Sequence, residues 1–172
     1  MAIWTSRYSN KELQNGKYYS VGISLGRPKF NINYRIQEQC YDLAPARWMW
    51  GKELEDFKRM YFSKLDAMGV DKVQAILQKL HNDAKANGQD LVLLCFEDVR
   101  DPKDWCHRTM LAEWVKKRIG WDIKELPNPQ PPKIKRKKTE SENENNEYQQ
   151  LSLFDICNAL SLIHISEPTR RT

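Results

Sequence analysis

Asp90-Leu91-Val92-Leu93-Leu94-Cys95-Phe96 is a continuous apolar run, opened by one acid and closed by Glu97-Asp98. A half-exposed strand alternates polar and apolar residues, whereas an unbroken apolar run of this length reads as a strand covered on both faces. Immediately before it, Asn87-Gly88 is a helix stop, and the segment from Asp71 to that stop carries Val73, Ile76, Leu77, Leu80 and Ala84 at helical spacing. Lys52 to Leu65 repeats the pattern with Leu54, Phe57, Tyr61 and Leu65. After the apolar run, a helix is predicted from about Trp105 to Arg118, with Asp104 as its N-cap and Leu111, Trp114 and Val115 as its buried stripe.

Further out, Ile3 to Ser6 is a short first strand, and Asn15-Gly16 is a turn signal. Tyr18 to Ser24 is a second strand, rich in β-branched and aromatic residues and ending at Gly26-Arg27-Pro28. Lys29 to Gly51 is aromatic-rich and interrupted by Pro45; it reads as an ordered loop, with room for one short helix, wrapped over the sheet. Asp122 to Leu126 is a last edge strand. Strand, strand, helices, strand, helix, strand predicts an α/β fold: a single Rossmann-like domain with a mainly parallel sheet flanked by helices.

The 172 residues suit one domain, with 40% hydrophobic and 10% aromatic residues to build its core. The stretch from Pro127 to Gln150 is almost all Pro, Lys, Asn, Glu and Gln, a composition that cannot offset the entropy of ordering. The globular domain is therefore expected over 1–126 and a disordered linker over 127–149. The net charge is +5, of which residues 1–126 carry +4 (21 Lys/Arg against 17 Asp/Glu). That balance permits a nucleotide or nucleic-acid ligand without demanding one. Cys40, Cys95, Cys106 and Cys157 follow no disulfide-scaffold spacing, and the N-terminus has no basic flank leading into an apolar stretch. No run approaches the length of a membrane-spanning helix, so a cytoplasmic protein with reduced thiols and no membrane partner is expected.

In parallel sheets ligands bind beyond the carboxyl ends of the strands. The rule gathers Thr5 and Ser6, Arg27, Cys95 and Glu97, and Cys106-His107-Arg108. A thiol at a helix start, beside a His and an Arg, has the surroundings that lower its pKa. Cys106 is thus either a nucleophile or redox group, or a small residue packed under the helix start. Cys95 is expected in the core unless it pairs reversibly with Cys106. Glu97 is a general base or, as the structural alternative prefers, an ion-pair partner of Arg108 or Arg100. His107 is an acid/base group or a polar residue on the exposed side of the first turn. Arg27 and Arg108, with Thr5 and Ser6, are the candidates for an anion, since a forked guanidinium matches phosphate and carboxylate. No metal is expected: ten residues separate Cys95 from Cys106, adjacent Cys106 and His107 are expected to point apart, and a fourth ligand is not evident. Nucleophile elbows, Gly-rich phosphate loops and dinucleotide fingerprints are absent, so no cofactor is expected.

With those residues in view, the chain resembles the bacterial and phage family known as domain of unknown function 488. The resemblance rests on Thr5-Ser6, on Ser24 to Arg27, and above all on Cys95-x-Glu97 followed by Cys106-His107-Arg108 and Ala112-Glu113-Trp114. It covers roughly residues 3 to 126 and implies an α/β fold with a polar pocket around those residues, without an established reaction. The aromatic segment Asn31 to Trp50 is longer than the family's pattern.

Beyond the domain, Pro127 to Pro132 stiffens the exit, Lys133 to Lys138 is a basic cluster and Thr139 to Gln149 is mostly acidic or amide. Gln150-Leu151-Ser152-Leu153-Phe154, within 150–155, resembles the peptide by which bacterial replication and repair proteins bind the sliding clamp. The resemblance implies recruitment to that clamp, with Leu153 and Phe154 entering an apolar pocket and Gln150 contacting its edge. The expected function is thus an anion-binding, thiol-containing domain acting on a nucleotide or nucleic-acid-linked substrate at the clamp; the alternative is a non-catalytic adaptor or phage-type clamp-binding protein. Residues 160–172, from Leu160-Ser161-Leu162-Ile163-His164 onward, resemble the conceptual translation of a transposase sequencing adapter. On that reading they carry no functional meaning.

Overall fold

A computed structural model describes residues 2–101 and 103–132. Five strands, β1 (Ile3–Arg7), β2 (Tyr18–Gly22), β3 (Glu38–Gln39), β4 (Asp90–Cys95) and β5 (Lys124–Glu125), form one parallel sheet in the order β3-β2-β4-β1-β5. The α/β expectation is met, and β4 sits at the centre of the sheet. Its register runs Ile3 opposite Leu91 to Arg7 opposite Cys95 on one side, and Tyr18 opposite Asp90 to Gly22 opposite Leu94 on the other. Leu91, Val92, Leu93 and Leu94 are all inaccessible to solvent. Each such side chain contributes roughly 1.5–3 kcal/mol relative to exposure, so the run that lacked alternation is the strand that anchors both layers.

The two layers differ. Leu91 and Leu93 face the larger core, which is built with α1 (Leu54–Met68), α2 (Val70–Ala86) and α3 (His107–Arg118). Phe57, Tyr61 and Leu65 form the buried stripe of α1, and Val73, Leu77, Leu80 and Ala84 that of α2. Gly69, at φ +91°, turns the chain between these helices in a conformation that other residues rarely adopt. Val92 and Leu94 face a smaller cluster with Tyr8, Leu13 and Leu126, covered by a 3-10 helix (Lys11–Asn15) and by Tyr34 and Ile36 of the long loop. Tyr34 fixes that loop by donating its hydroxyl to the Tyr8 carbonyl at 2.7 Å.

The loop expected over Lys29 to Gly51 contains β3 and two 3-10 turns, Tyr41–Leu43 and Arg47–Met49, rather than one short helix. Glu38-Gln39 escapes sequence reading because a two-residue polar edge strand has no hydrophobic period. At its partner Gly22 the approach is close: a Cβ there would overlap Gln39 Oε1 and Tyr8 Oη, so those side-chain ends would have to shift.

Several boundaries depart from expectation: β2 ends at Gly22 rather than Ser24, α1 runs Leu54–Met68 rather than Lys52 to Leu65, and β5 is Lys124–Glu125 rather than Asp122 to Leu126. The third helix begins at His107 with Cys106 as N-cap, not at Trp105 with Asp104. Asp98 and Asp101 each bond backbone N–H groups two residues on, those of Arg100 and Lys103, so the chain from 98 to 104 turns on itself before the helix starts. The exit past Leu126 is also tied down. Asn10 donates to the Pro127 carbonyl at 3.1 Å, and Arg100 donates to the carbonyls of Asn128 and Gln130. The rest of the linker, the basic cluster, Gln150 to Phe154 and 160–172 lie outside the described residues. No helix among the described residues is long and apolar enough to cross a membrane.

Candidate functional site

β4 ends at Cys95, and the next turn brings Glu97 back over it. The turns that delay α3 then deliver Cys106 and His107 to the same place. Glu97 Oε2 accepts from Cys95 Sγ at 3.2 Å and from Cys106 Sγ at 2.9 Å. His107 Nδ1 lies 3.6 Å from Cys95 Sγ and 3.9 Å from Cys106 Sγ. Its other nitrogen, Nε2, is 2.8 Å from the carbonyl of Ile23, a group that only accepts, so Nε2 carries a proton and Nδ1 faces the sulfurs, as a lone pair when the ring is neutral and as a donor when it is charged. The ring is further held by the edge of Tyr61, with centroids 5.6 Å apart.

Three expectations are corrected by this arrangement. Cys106 and His107 do not point apart: the donor atoms of Cys95, Cys106 and His107 lie within 4.8 Å of one another. His107 is not on an exposed side of the first turn but is buried. Glu97 does not pair its carboxylate with either arginine; Arg100 is bound to Asp98, and Arg108 reaches only the Glu97 carbonyl, at 2.9 Å.

Arg108, expected as half of an anion clamp, is committed inside the fold at 1% exposure. Its Nε and Nη2 donate to the two oxygens of Glu125 at 3.1 and 3.0 Å. Thr5 donates to the same carboxylate at 2.7 Å, and Ser6, fully buried, accepts from Asn10 at 2.9 Å. Thr5, Ser6 and Arg108 therefore lie behind the site and hold β1, β5 and α3 together. Arg27 alone of the four expected anion-binding residues is exposed at the pocket.

Burial opposes ionisation of both sulfurs, but at Cys106 it is outweighed by the hydrogen bond from Cys95, the contact with His107 and the charge of Arg108, which hold that thiol well below the usual range. Cys95 is pushed up, first by its hydrogen bond to Cys106 and then by burial, and remains the protonated partner. Burial, then the negative charge at Cys106, raises the Glu97 carboxyl. Arg108 stays charged: burial works against it, and Cys106 and Glu125 more than compensate.

Cys95, Glu97, Cys106 and His107 form one end of a cavity of about 750 Å³. Phe30, Trp50, Phe57, Phe96 and Trp105 supply aromatic walls, and Arg27, Lys29, Lys52 and Lys103 line it with positive charge, against Glu97 and Asp104. Phe30, Trp50 and Phe96 are exposed. Apart from Arg27, the basic and aromatic lining escaped sequence reasoning because it comes from four separate segments. The density of aromatic residues across 30–50 was its only signal.

No protein-family model, curated protein or solved structure matches the chain.

Proposed function

We propose that this domain binds a nucleotide or nucleic-acid-linked substrate in the 750 Å³ cavity, with the Cys95, Glu97, Cys106 and His107 cluster as its reacting end. The observation that carries the reading is the lining: flat aromatic walls suit a base, while Arg27, Lys29, Lys52 and Lys103 suit its phosphate. Glu97, raised and in contact with both sulfurs, handles protons at that end, and His107 orients the sulfurs rather than meeting solvent. The likeness to the domain of unknown function 488 family belongs to this reading, since Cys95-x-Glu97 and Cys106-His107 are the residues at the cavity's end.

Trp50 and Trp105 report on occupancy. A nucleoside monophosphate is expected to quench their fluorescence with saturation, the matching nucleoside to do so far more weakly, and Arg27→Ala to weaken the monophosphate about tenfold. Equal response to both ligands, or no saturation, would overturn the reading.

Recruitment to the bacterial sliding clamp is part of the same proposal, supported by the resemblance of Gln150, Leu151, Ser152, Leu153 and Phe154 to a clamp-binding peptide. Apolar anchors dominate such interfaces, each contributing about 2 kcal/mol or more. Leu153→Ala with Phe154→Ala is expected to abolish co-elution of the full chain with the clamp while leaving nucleotide quenching unchanged. Undiminished co-elution would sink clamp recruitment through this peptide.

A further inference from the structure

The geometry points to a metal centre: Cys95 Sγ, Cys106 Sγ and His107 Nδ1 form a three-donor site for a divalent, thiolate-preferring cation such as Zn²⁺, with its open coordination position facing the cavity. The separations fit. Zinc–sulfur and zinc–nitrogen bonds of about 2.3 and 2.0–2.1 Å at a tetrahedral angle place sulfur about 3.6 Å from nitrogen, and His107 Nδ1 stands 3.6 and 3.9 Å from the two sulfurs. A cation would change either sulfur–nitrogen separation by only a few tenths of an ångström.

A second observation is independent of spacing. Metal-ligating histidines donate their other ring N–H to a carbonyl or carboxylate, which fixes the tautomer and aims the free lone pair. His107 Nε2 does this at the Ile23 carbonyl, 2.8 Å away, so in the neutral ring Nδ1 is free to coordinate without losing a proton.

The donors also sit on rigid supports. Cys95 closes the central strand, Cys106 caps α3 and His107 is that helix's first residue. Two thiolates neutralise a 2+ charge, so the loaded site adds no net charge to a buried place, and sulfur ligation selects Zn²⁺ over Mg²⁺ or Ca²⁺. Loading is balanced: the S–H bond of Cys95, the protonated partner, breaks and its proton leaves to solvent, the Cys106 thiolate needs no deprotonation, two sulfur–metal bonds form, and His107 contributes a lone pair. Glu97 Oε2, 3.2 Å from Cys95 Sγ, is placed to relay that proton.

All three donors line the cavity, and among the described residues the set whose donor atoms all lie within 4.8 Å of one another is Cys95, Cys106 and His107, with the Glu97 carboxylate outside it although it touches both sulfurs. Three protein ligands with one open position is the arrangement of zinc sites that bind water or substrate, not of closed structural ones. This goes beyond the proposed ligand reading, because metal binding needs no nucleotide and nucleotide quenching needs no metal.

The test is titration of the full, metal-stripped chain with Co²⁺ alone. One equivalent is expected to give thiolate-to-cobalt charge-transfer absorption with the visible bands of a tetrahedral ion, and Zn²⁺ to bleach both. X-ray absorption on the unmutated zinc-loaded chain is expected to show two sulfurs at about 2.3 Å and nitrogen or oxygen at about 2.0–2.1 Å, a readout that does not depend on any variant folding. Cys95→Ser and Cys106→Ser are each expected to lose stoichiometric binding, whereas Cys157→Ser keeps it. A shell of oxygen and nitrogen only, no charge transfer at one equivalent, or binding that survives Cys106→Ser overturns the proposal.

Discussion

Arg108→Ala is expected to destabilise the domain by about 3–4 kcal/mol, combining a large-to-small void with the loss of buried hydrogen bonds. A surface arginine waiting for an anion would cost little to remove, and the weaker binding of its ligand would be the main effect. Arg108 is instead among the largest fully buried side chains. Its guanidinium makes three bonds, two to Glu125 and one to the Glu97 carbonyl. Truncation opens a void at the start of α3 and leaves the Glu97 carbonyl without its donor. It also cuts the link by which β5 is fixed to the helix, although Thr5 still binds Glu125. In a domain of this size, 3 kcal/mol corresponds to a melting temperature about 10 °C lower. Urea unfolding followed by far-ultraviolet circular dichroism reads the change, with the slope unchanged if only stability has moved. A loss below about 1 kcal/mol would return Arg108 to the role of a free anion contact.

How far the sequence foretold this molecule depends on whether each feature was local. Leu91 to Leu94 announced a doubly covered strand because their burial is a property of seven consecutive residues. The helical stripes of α1 and α2 were legible for the same reason. Strand position in the sheet was not legible: β1 and β2 are joined by a short connection yet do not pair, because β4, far along the chain, inserts between them. The site followed the same divide. That Cys95, Glu97, Cys106 and His107 would gather follows from the rule for strand ends, but the rule could not separate residues that face the cavity from those behind it. Thr5, Ser6 and Arg108 are in the right region and point into the fold. What turns Thr5 and Arg108 inward is Glu125, an exposed-looking acid in a two-residue edge strand whose partners lie 17 and 120 residues away, while Ser6 is held by Asn10. The convergence of Cys106 and His107 was likewise hidden, since it depends on the Ile23 carbonyl pulling on the far side of the ring.

Asp98→Asn is the complementary test, since it acts on the loop that carries the cavity's wall. Asp98 is buried and binds Arg7 at the end of β1 and Arg100 beyond its own turn, the latter through Nε and Nη2 at 2.9 Å each. The hydrogen bonds from Arg100 hold the Asp98 carboxyl well below the usual carboxylate range; burial opposes this and the charge of Arg7 adds to it. A depressed carboxyl stabilises the fold above its unfolded pKa of about 3.9. That contribution fades as pH falls below that value towards the folded one. At pH 7 the substitution is expected to cost about 3 kcal/mol, the lower end of the range for breaking a buried pair, because Arg100 is 31% exposed. Below pH 4 the unmutated protein progressively loses the same term, so the gap between the two proteins should narrow, whatever other groups do to both. Urea unfolding at pH 7 and near pH 3 measures that gap. Curves that stay parallel across the range would mean that the Asp98 charge contributes nothing. Because the loop from Phe96 to Trp105 depends on this anchor to hold Glu97, Lys103 and Cys106, a real gap at pH 7 should also weaken nucleotide quenching in the folded variant, with Arg108 and its contacts untouched.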